Sequence, residues 1–449
     1  MKKKIIVFVS VLMLPFTLGA QTYNSALLKN ASISPYIHQL LVRNWDSGHV
    51  VSAYTDGTCT RFACSDHSGF FGPYSAGGFS SNAYYSDTLP RNYSVADMKV
   101  LDNVLYFCGT YHNSVYACGY IGYFDLNSLN TGVPFVFEIR HIDNVTLLNK
   151  LVPFYESGNK KVMAIGRNFN GSWADVIVEV NDITSATACD YFYNGSSTPE
   201  LFYDIVYTGK EVVFVGKITI YDFLNIRIMD DLSSFSLSDG SSNSYFFNTG
   251  TFECNGGVIA THITGSTFAT AYVHVDSSYY TKVLTLDISS GTPVVLHAQQ
   301  YKLENKPDPI EMTFLPMKKM LAILQPLFTL YSTNYDPRLI FIDPYMTTAY
   351  TTDYTAFIST QPFQSIDCYR DNNIVTVGKE TYLQKYPVAS STGCPYVHGH
   401  HVEKSSYPPF STFNYPLPYD TSTITHFLYP SSSHSGSWGF SCGTMNVNK

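Results

Sequence analysis

Val104-Leu105-Tyr106-Phe107-Cys108-Gly109 is a short apolar run that ends in glycine, and it recurs along the chain. Earlier copies and later ones read His49-Val50-Val51-Ser52-Ala53-Tyr54, Val162-Met163-Ala164-Ile165-Gly166 and Val212-Val213-Phe214-Val215-Gly216. Three more follow: Val258-Ile259-Ala260-Thr261-His262, Leu321-Ala322-Ile323-Leu324-Gln325 and Ile374-Val375-Thr376-Val377-Gly378. A run of five or six apolar residues bounded by turn residues is the pattern of a strand covered on both faces. Four copies end in glycine, at 109, 166, 216 and 378. A glycine there lets the chain turn with positive φ or approach a neighbour closely.

The flanks repeat as well. A polar turn precedes most copies, as in Leu101-Asp102-Asn103, Ser157-Gly158-Asn159-Lys160 and Thr208-Gly209-Lys210. Before it lies a further short strand, such as Ala96-Asp97-Met98-Lys99-Val100 or Ser365-Ile366-Asp367-Cys368-Tyr369. After the apolar run come a variable loop and a third strand that tends to end in an acid: Asp125, Asp230, Asp287 or Asp343. That third strand alternates more clearly, as expected near a solvated edge. Strand, tight turn, buried strand, loop and alternating strand make an antiparallel meander. A unit of about fifty residues cannot bury both of its faces alone, and it gains a core when copies pack around an axis. The expected fold is therefore all-β: a β-propeller, most simply of seven mainly four-stranded blades. Two β-sandwich domains also supply many short strands, but they do not call for one phrase seven times.

The phrase from Asp97-Met98 through Val104–Gly109 to Gly119-Tyr120-Ile121-Gly122-Tyr123-Phe124-Asp125 resembles the repeats of uncharacterised secreted propellers from Bacteroidetes. More broadly the pattern, over residues 35–390, is similar to kelch-like and WD-type propellers. The kelch double glycine, the Trp-Asp repeat ending, the sialidase aspartate box and the quinoprotein repeat are missing. The resemblance implies a fold and a compartment, and no activity.

The first residues carry an export signal. Lys2, Lys3 and Lys4 precede an apolar stretch from Ile5 to Leu18, broken only by Ser10, Pro15 and Thr17, and Leu18-Gly19-Ala20 offers small residues before Gln21. That is the layout of a cleaved secretory signal peptide over 1–20, with cleavage near Ala20. The mature chain is expected to be soluble and secreted, periplasmic or at the cell surface, with no membrane span. Residues 21–390 are assigned to the propeller. The Pro-, Ser-, Tyr- and His-rich tail, 391–449, is assigned to closing the last blade or forming a lid. Residues 65–92, rich in Gly, Ser and Tyr, read as an insertion between the first two blades.

Charged residues are 14% of the 449 and aromatics 15%, with 36 Tyr and 30 Phe against 3 Trp. Tyrosine suits strands, since its ring packs while its hydroxyl reaches water. A net charge of −8 without a basic cluster after the signal peptide argues against nucleic acid as a partner.

Candidate chemistry is sparse. Export permits disulfides among the nine cysteines. Cys108 and Cys118 are candidates for a bridge across the loop 109–117, with Cys59 and Cys64, and Cys394 and Cys442, as further pairs. His398, His400 and His401, beside Glu403, are the densest metal-like cluster, although they lack the helical spacing of a zinc site. Gly439-Phe440-Ser441-Cys442-Gly443 matches a nucleophile elbow in letters, but no histidine follows it. The acids that end third strands are read as turn chemistry. Asp87-Thr88-Leu89 matches a short O-glycosylation signal in what reads as a loop. No cofactor is implied. The expected function is a non-catalytic binding or scaffold module of the bacterial envelope or exterior, contacting carbohydrate or an envelope protein. The alternatives are a glycan-active enzyme with acids from several blades at the funnel, and a structural subunit of a surface complex.

Overall fold

The computed structural model describes residues 22–29, 39–44, 49–55, 60–66, 84–89, 92–127, 136–156, 158–169, 173–180, 189–194, 200–218, 223–229, 243–246, 257–275, 279–303, 309, 311–328, 335–345, 352–355, 363–368, 374–378, 382–386, 411–413, 419–422, 424–430 and 434–444. Strand β1, Thr22–Lys29, stands apart from the meanders that follow. Blade 1 consists of β2 (Gln39–Asn44), β3 (His49–Thr55), β4 (Thr60–Asp66) and β5 (Tyr84–Leu89). Blade 2 is β6 (Tyr93–Leu101), β7 (Val104–His112), β8 (Ala117–Asp125) and β9 (Val136–Ile142). Blade 3 is β10 (Leu147–Glu156), β11 (Asn159–Phe169), β12 (Trp173–Val180) and β13 (Cys189–Asn194). Blade 4 is β14 (Glu200–Tyr207), β15 (Val212–Ile218), β16 (Phe223–Met229) and β17 (Asn243–Phe246). Blade 5 is β18 (Val258–Thr264), β19 (Thr267–Val275), β20 (Tyr279–Asp287) and β21 (Val294–Leu303). Blade 6 is β22 (Glu311–Leu315), β23 (Met320–Phe328), β24 (Tyr335–Ile342) and β25 (Thr352–Thr355). Blade 7 begins with β26 (Phe363–Cys368), β27 (Ile374–Gly378) and β28 (Tyr382–Tyr386), and β1 supplies its fourth strand by pairing with β28.

The first strands of successive blades touch in order, and β26 touches β2, so the seven meanders close into a ring. The cores lie between blades. Leu41, Ala53 and Phe62 of blade 1 meet Phe107, Tyr120 and Phe137 of blade 2. Tyr106, Cys108 and Ile121, on the other face of blade 2, meet Leu148, Val162 and Val178 of blade 3. Further interblade clusters join blades 3 and 4, 4 and 5, and 5 and 6.

The third strands differ from expectation. In β8, β12 and β20 nearly every central residue is buried, so these strands are as enclosed as the second ones. A fourth strand lies outside each, and the tail adds a fifth to several blades. The tail's strands are β29 (Ser411–Phe413), β30 (Tyr419–Ser422), β31 (Ile424–Pro430) and β32 (His434–Thr444). They pair antiparallel with β17, β13 and β9 in turn, and β32 pairs first with β5 and then with β1. The tail thus runs round the outer edge past blades 4, 3, 2, 1 and 7, against the order of the chain. Residues 84–89, read from sequence as part of an insertion, are the outermost strand of blade 1, with Leu89 buried.

The repeated glycine has a specific cause. The first strand of blades 2, 3, 4 and 7 carries a β-bulge, between Val95 and Asp97, Leu148 and Lys150, Phe202 and Asp204, and Phe363 and Ser365. Opposite the residue before each bulge stands Gly109, Gly166, Gly216 or Gly378. A Cβ on Gly109 would sit 1.8 Å from the carbonyl oxygen of Ser94, one on Gly166 2.0 Å from that of Leu147, and one on Gly216 1.8 Å from that of Leu201. The glycines are there for close approach of backbone, and positive φ belongs instead to turn residues such as Asp102, Asn103 and Gly158. Asp102-Asn103, both with positive φ, form the two-residue hairpin between β6 and β7.

Gly109→Ala therefore forces the bulge of β6 to move and should cost about 1–3 kcal/mol or more. Gly257→Ala, where the nearest atom to a new Cβ is Tyr203 Cδ1 at 4.0 Å, should cost well under that. Chemical denaturation of the two variants checks this, and equal losses would count against the bulge as the reason for the glycine.

Candidate functional site

Each bulge re-aims the side chain that follows it. Asp97, Lys150, Asp204 and Ser365 all follow a bulge on a first strand, and Glu311 lies on the first strand of blade 6. Their polar groups meet near the axis and tie each blade to the next. Asp97 Oδ2 accepts from the Leu151 amide of blade 3 (3.2 Å), Asp204 Oδ2 from the Ala260 amide of blade 5 (2.8 Å), and Glu311 Oε2 from the Ile366 amide of blade 7 (2.9 Å). In blade 3 the third strand does this work: Asp175 Oδ2 accepts from the Phe202 amide of blade 4 at 3.0 Å. Between blades 5 and 6, Thr281 Oγ1 donates to Gln325 Oε1 at 3.0 Å.

Arg43 of β2 closes the circle. Its Nε donates to the Met98 carbonyl (2.6 Å), its Nη1 to Ser365 Oγ (3.0 Å), and its Nη2 contacts both Asp97 Oδ1 (2.9 Å) and Glu311 Oε1 (2.5 Å). One buried guanidinium thereby joins blades 1, 2, 6 and 7. Burial works against ionisation of Asp97, but Lys150, Lys99, Arg43 and the Leu151 amide outweigh it and hold the carboxyl below the usual range. Glu311 is likewise held low against its burial by Arg43, Lys150, Lys99 and Ser365. Asp204 differs: burial raises it, and Lys150, Lys99 and the Ala260 amide only partly offset that. Glycoside hydrolysis by a carboxyl pair needs one protonated member. Asp97 and Glu311 share one arginine and are both ionised near neutral pH, so this pair has no proton donor.

A second feature lies on the face where second strands end. In blade 2, Asn113 Oδ1 accepts from the amides of Val115 and Tyr116, both at 2.7 Å, and fixes a turn that presents those two side chains to solvent, 87% and 52% exposed. The Tyr116 ring is 6.1 Å from that of Tyr111, which lies 4.6 Å from the His141 ring and 4.8 Å from the Tyr93 ring. Tyr93 Oη is 2.7 Å from His141 Nε2, and burial pushes His141 down to about 4, so that it is neutral at physiological pH. In blade 3, Phe169 and Trp173 stand opposite each other in register, their rings 5.1 Å apart and each about half exposed. The link between the two blades holds both loops. The Val145 carbonyl accepts from Gly119, the Arg167 carbonyl accepts from Thr146, and Thr146 Oγ1 accepts from Phe169 at 2.8 Å. A turn of blade 2 and the adjoining ends of β11 and β12 in blade 3 thus carry exposed rings on a braced backbone.

The sequence-derived candidates fall elsewhere. Cys108 and Cys118 are free and buried. Cys108 stands opposite Ile121, whereas Cys118 stands opposite Tyr111. Cys108 packs toward blade 3 with Ile121, and Cys118, an even number of positions from Tyr120, belongs to the face toward blade 1. Opposite faces of the sheet exclude that bridge, and burial pushes the Cys118 thiol up to about 12. Cys59, Cys394, His398, His400, His401, Glu403 and Asp230 lie outside the described residues, as do the side chains of Cys64 and Cys442. Among the described residues no group of histidine, cysteine and acid is arranged for a metal. Residues 439–443 lie inside β32, where they pair with β1, and not on the sharp strand-to-helix turn of a nucleophile elbow. Asp87-Thr88-Leu89 is part of β5, a strand paired with β4, not a loop. The strand-ending acids serve turns: Asp125, Asp287 and Asp343 each accept from the amide two residues on. The axial acids were missed. The available signal was an acid at the same distance before the strand-ending glycine in two repeats, Asp97 before Gly109 and Asp204 before Gly216.

No protein-family model and no curated protein matches the chain. Solved structures with a similar course of chain include the WD40 β-propeller domain of Doa1, at 10% identity over 83% of this chain and 98% of that one, with a TM-score of 0.42. Streptogramin B lyase aligns at 11% identity over 81% and 97%, with a TM-score of 0.43. The NanB sialidase from Streptococcus pneumoniae aligns at 11% over 84% and 69%, with a TM-score of 0.32. The propeller assignment itself rests on the seven meanders and the closed ring of first strands.

Arg43→Met should destabilise the ring by about 3–5 kcal/mol at pH 7, because it leaves two buried carboxylates short of their partner. Asp97 and Glu311 have depressed values in the folded chain, so their contribution is complete above about pH 4–5 and is lost as pH falls through the lower native values. The deficit of the variant should therefore shrink between pH 5 and 3. Urea titrations at both pH values test this; an equal deficit at each would contradict the assignment.

Proposed function

We propose that this protein is a secreted, non-catalytic binding module of the bacterial envelope or exterior, and that it engages carbohydrate or protein surfaces with the face formed by the blade 2 and blade 3 loops. The observation that carries the reading is the exposed set Val115 and Tyr116 on a turn of blade 2 and Phe169 and Trp173 at the adjoining ends of β11 and β12, braced by Val145 and Thr146. Half-exposed rings on a fixed backbone offer flat apolar area at low entropic cost, and neighbouring polar groups orient what lies on them. The state of the axis supports a non-catalytic role. Its acids are engaged with Arg43 and with backbone amides, which suits them to holding blades together. Export is read from the first twenty residues. Among the described residues no helix is long and apolar enough to cross a membrane.

A glycan array and a pull-down from envelope extract, each with the mature protein and with a Tyr116→Ala/Trp173→Ala double variant, test the proposal. Binding without turnover is expected, weakened about ten- to a hundredfold in the variant, or about 1.4–2.7 kcal/mol. Because His141 titrates near 4, binding should be flat from pH 5.5 to 8. Cleavage of any bound glycan, or unchanged binding by the double variant, would overturn the reading.

A further inference from the structure

The exposed rings belong to neighbouring sheets, and the separation between them is fixed. Tyr116 lies just before β8 of blade 2, and Phe169 and Trp173 face each other where β11 ends and β12 begins in blade 3. Gly119 of β8 donates its amide to the Val145 carbonyl at 2.6 Å, and Thr146 beside it donates to the Arg167 carbonyl at 3.0 Å. The Thr146 hydroxyl then clasps the end of β11: Oγ1 accepts from the Phe169 amide at 2.8 Å and donates to Asn168 Oδ1 at 3.2 Å. Asn113 holds Tyr116 in the same manner, through the amides of Val115 and Tyr116. Sheets packed face to face stand about 10 Å apart, and the chain from Tyr116 to Gly119 adds about 10 Å, so the two platforms are separated by about 10–20 Å. A compact ligand covers one of them. An extended one reaches both.

The chemistry between the platforms is polar and weakly charged. Ser114 on the turn of blade 2 and Asp143 and Asn144 on the link to blade 3 are exposed beside the rings. Arg167 of β11 is matched by Asp175, with Nε 3.0 Å from Oδ1. Among the described residues the strip thus offers hydroxyl, amide and ring, with the charge of Asp143. Protein partners are steered and registered by complementary charge, and their anchors seat in enclosed pockets. Here the turn projects instead, with Val115 87% exposed. A sugar chain suits such a strip. Its C–H faces lie on flat rings, and its hydroxyls meet hydroxyl, amide and carboxylate groups.

Resting on the reading of this face as a binding surface, we infer that its ligand is an uncharged, extended oligosaccharide chain, which stacks one unit on Tyr116 and another, further along, on Phe169 and Trp173. Thr146 is a positioning residue that sets the span between the platforms. Two weak contacts carried by one chain combine when the chain matches the gap, because the second forms at high effective concentration. The site therefore selects length as well as composition.

Calorimetric titration of the mature protein with gluco-, manno-, xylo- and N-acetylglucosamine oligomers, from monomer to octamer, tests this. In the series that binds, affinity should rise at least about tenfold once the chain reaches both platforms, and then level off. Tyr116→Ala and Trp173→Ala should each bring the octamer down to about the affinity of the trimer. Thr146→Val removes the hydroxyl clasp; it should weaken the octamer about three- to tenfold and leave the trimer unchanged, and Thr146→Ser should restore the octamer. Equal affinity at every length, an octamer untouched by Thr146→Val, or tighter binding of a uronic-acid oligomer than of its neutral counterpart would overturn the inference. If no series binds while an envelope protein is captured through Tyr116 and Trp173, the inference fails and the wider reading of the face stands. If neither sugar nor envelope protein depends on those two rings, both fail.

Discussion

A backbone collision that only glycine avoids sets the geometry of the ring. Where Gly109, Gly166 and Gly216 stand, the opposing carbonyl lies about where a Cβ would be. That space lets the first strand accommodate one extra residue, and the extra residue turns the next side chain toward the axis. Asp97, Lys150 and Asp204 owe their positions to it. Without the bulge these groups would sit within the sheet, facing the apolar cores between blades, where an unpaired charge is very costly.

Arg43 is the point at which the ring closes. Three charged side chains sharing one dry site is an arrangement whose desolvation cost can exceed its attraction. Here the remaining lone pairs are satisfied by amides at Leu151 and Ile366 and by Ser365, and Lys99 and Lys150 add favourable potential. Such a network adds specificity to what burial already stabilises. Apolar contacts between blades are non-directional, but one guanidinium bonded to blades 1, 2, 6 and 7 fits a single closed arrangement. The same commitment of acids to structure separates the axis from the ring-bearing loops, where recognition is proposed.

The architecture was legible because the second strands of blades 2 to 6 are buried on both faces, and that shows directly as apolar runs such as Val212–Gly216. Strand-ending acids were legible too, since an Asx turn needs only local chemistry. First strands were harder. They carry one functional side chain among residues of mixed character, and a bulge breaks the alternation that would mark its direction. Outer strands were hardest. β5 was taken for part of an insertion because Tyr84–Leu89 is polar to the eye and is finished by a partner far away in sequence, β32. The Cys108–Cys118 bridge failed on parity: spacing placed the two on adjacent strands, and only the register shows that they face opposite ways.

The backward course of the tail has a consequence for how the protein is made. Blades emerge from the ribosome in order from 1 to 7, and domains of this kind begin to organise from the N-terminus as they appear. β1 is synthesised first, yet its two neighbours, β28 and β32, are among the last strands to arrive. Throughout translation the leading end of the chain waits with both flanks bare, and the outer strands of blades 1 to 4 wait with one. A chain released early, or clipped near its C-terminus, carries several exposed adhesive borders at once. Quality control in the compartment where it matures would have ample means of telling the finished molecule from the unfinished one.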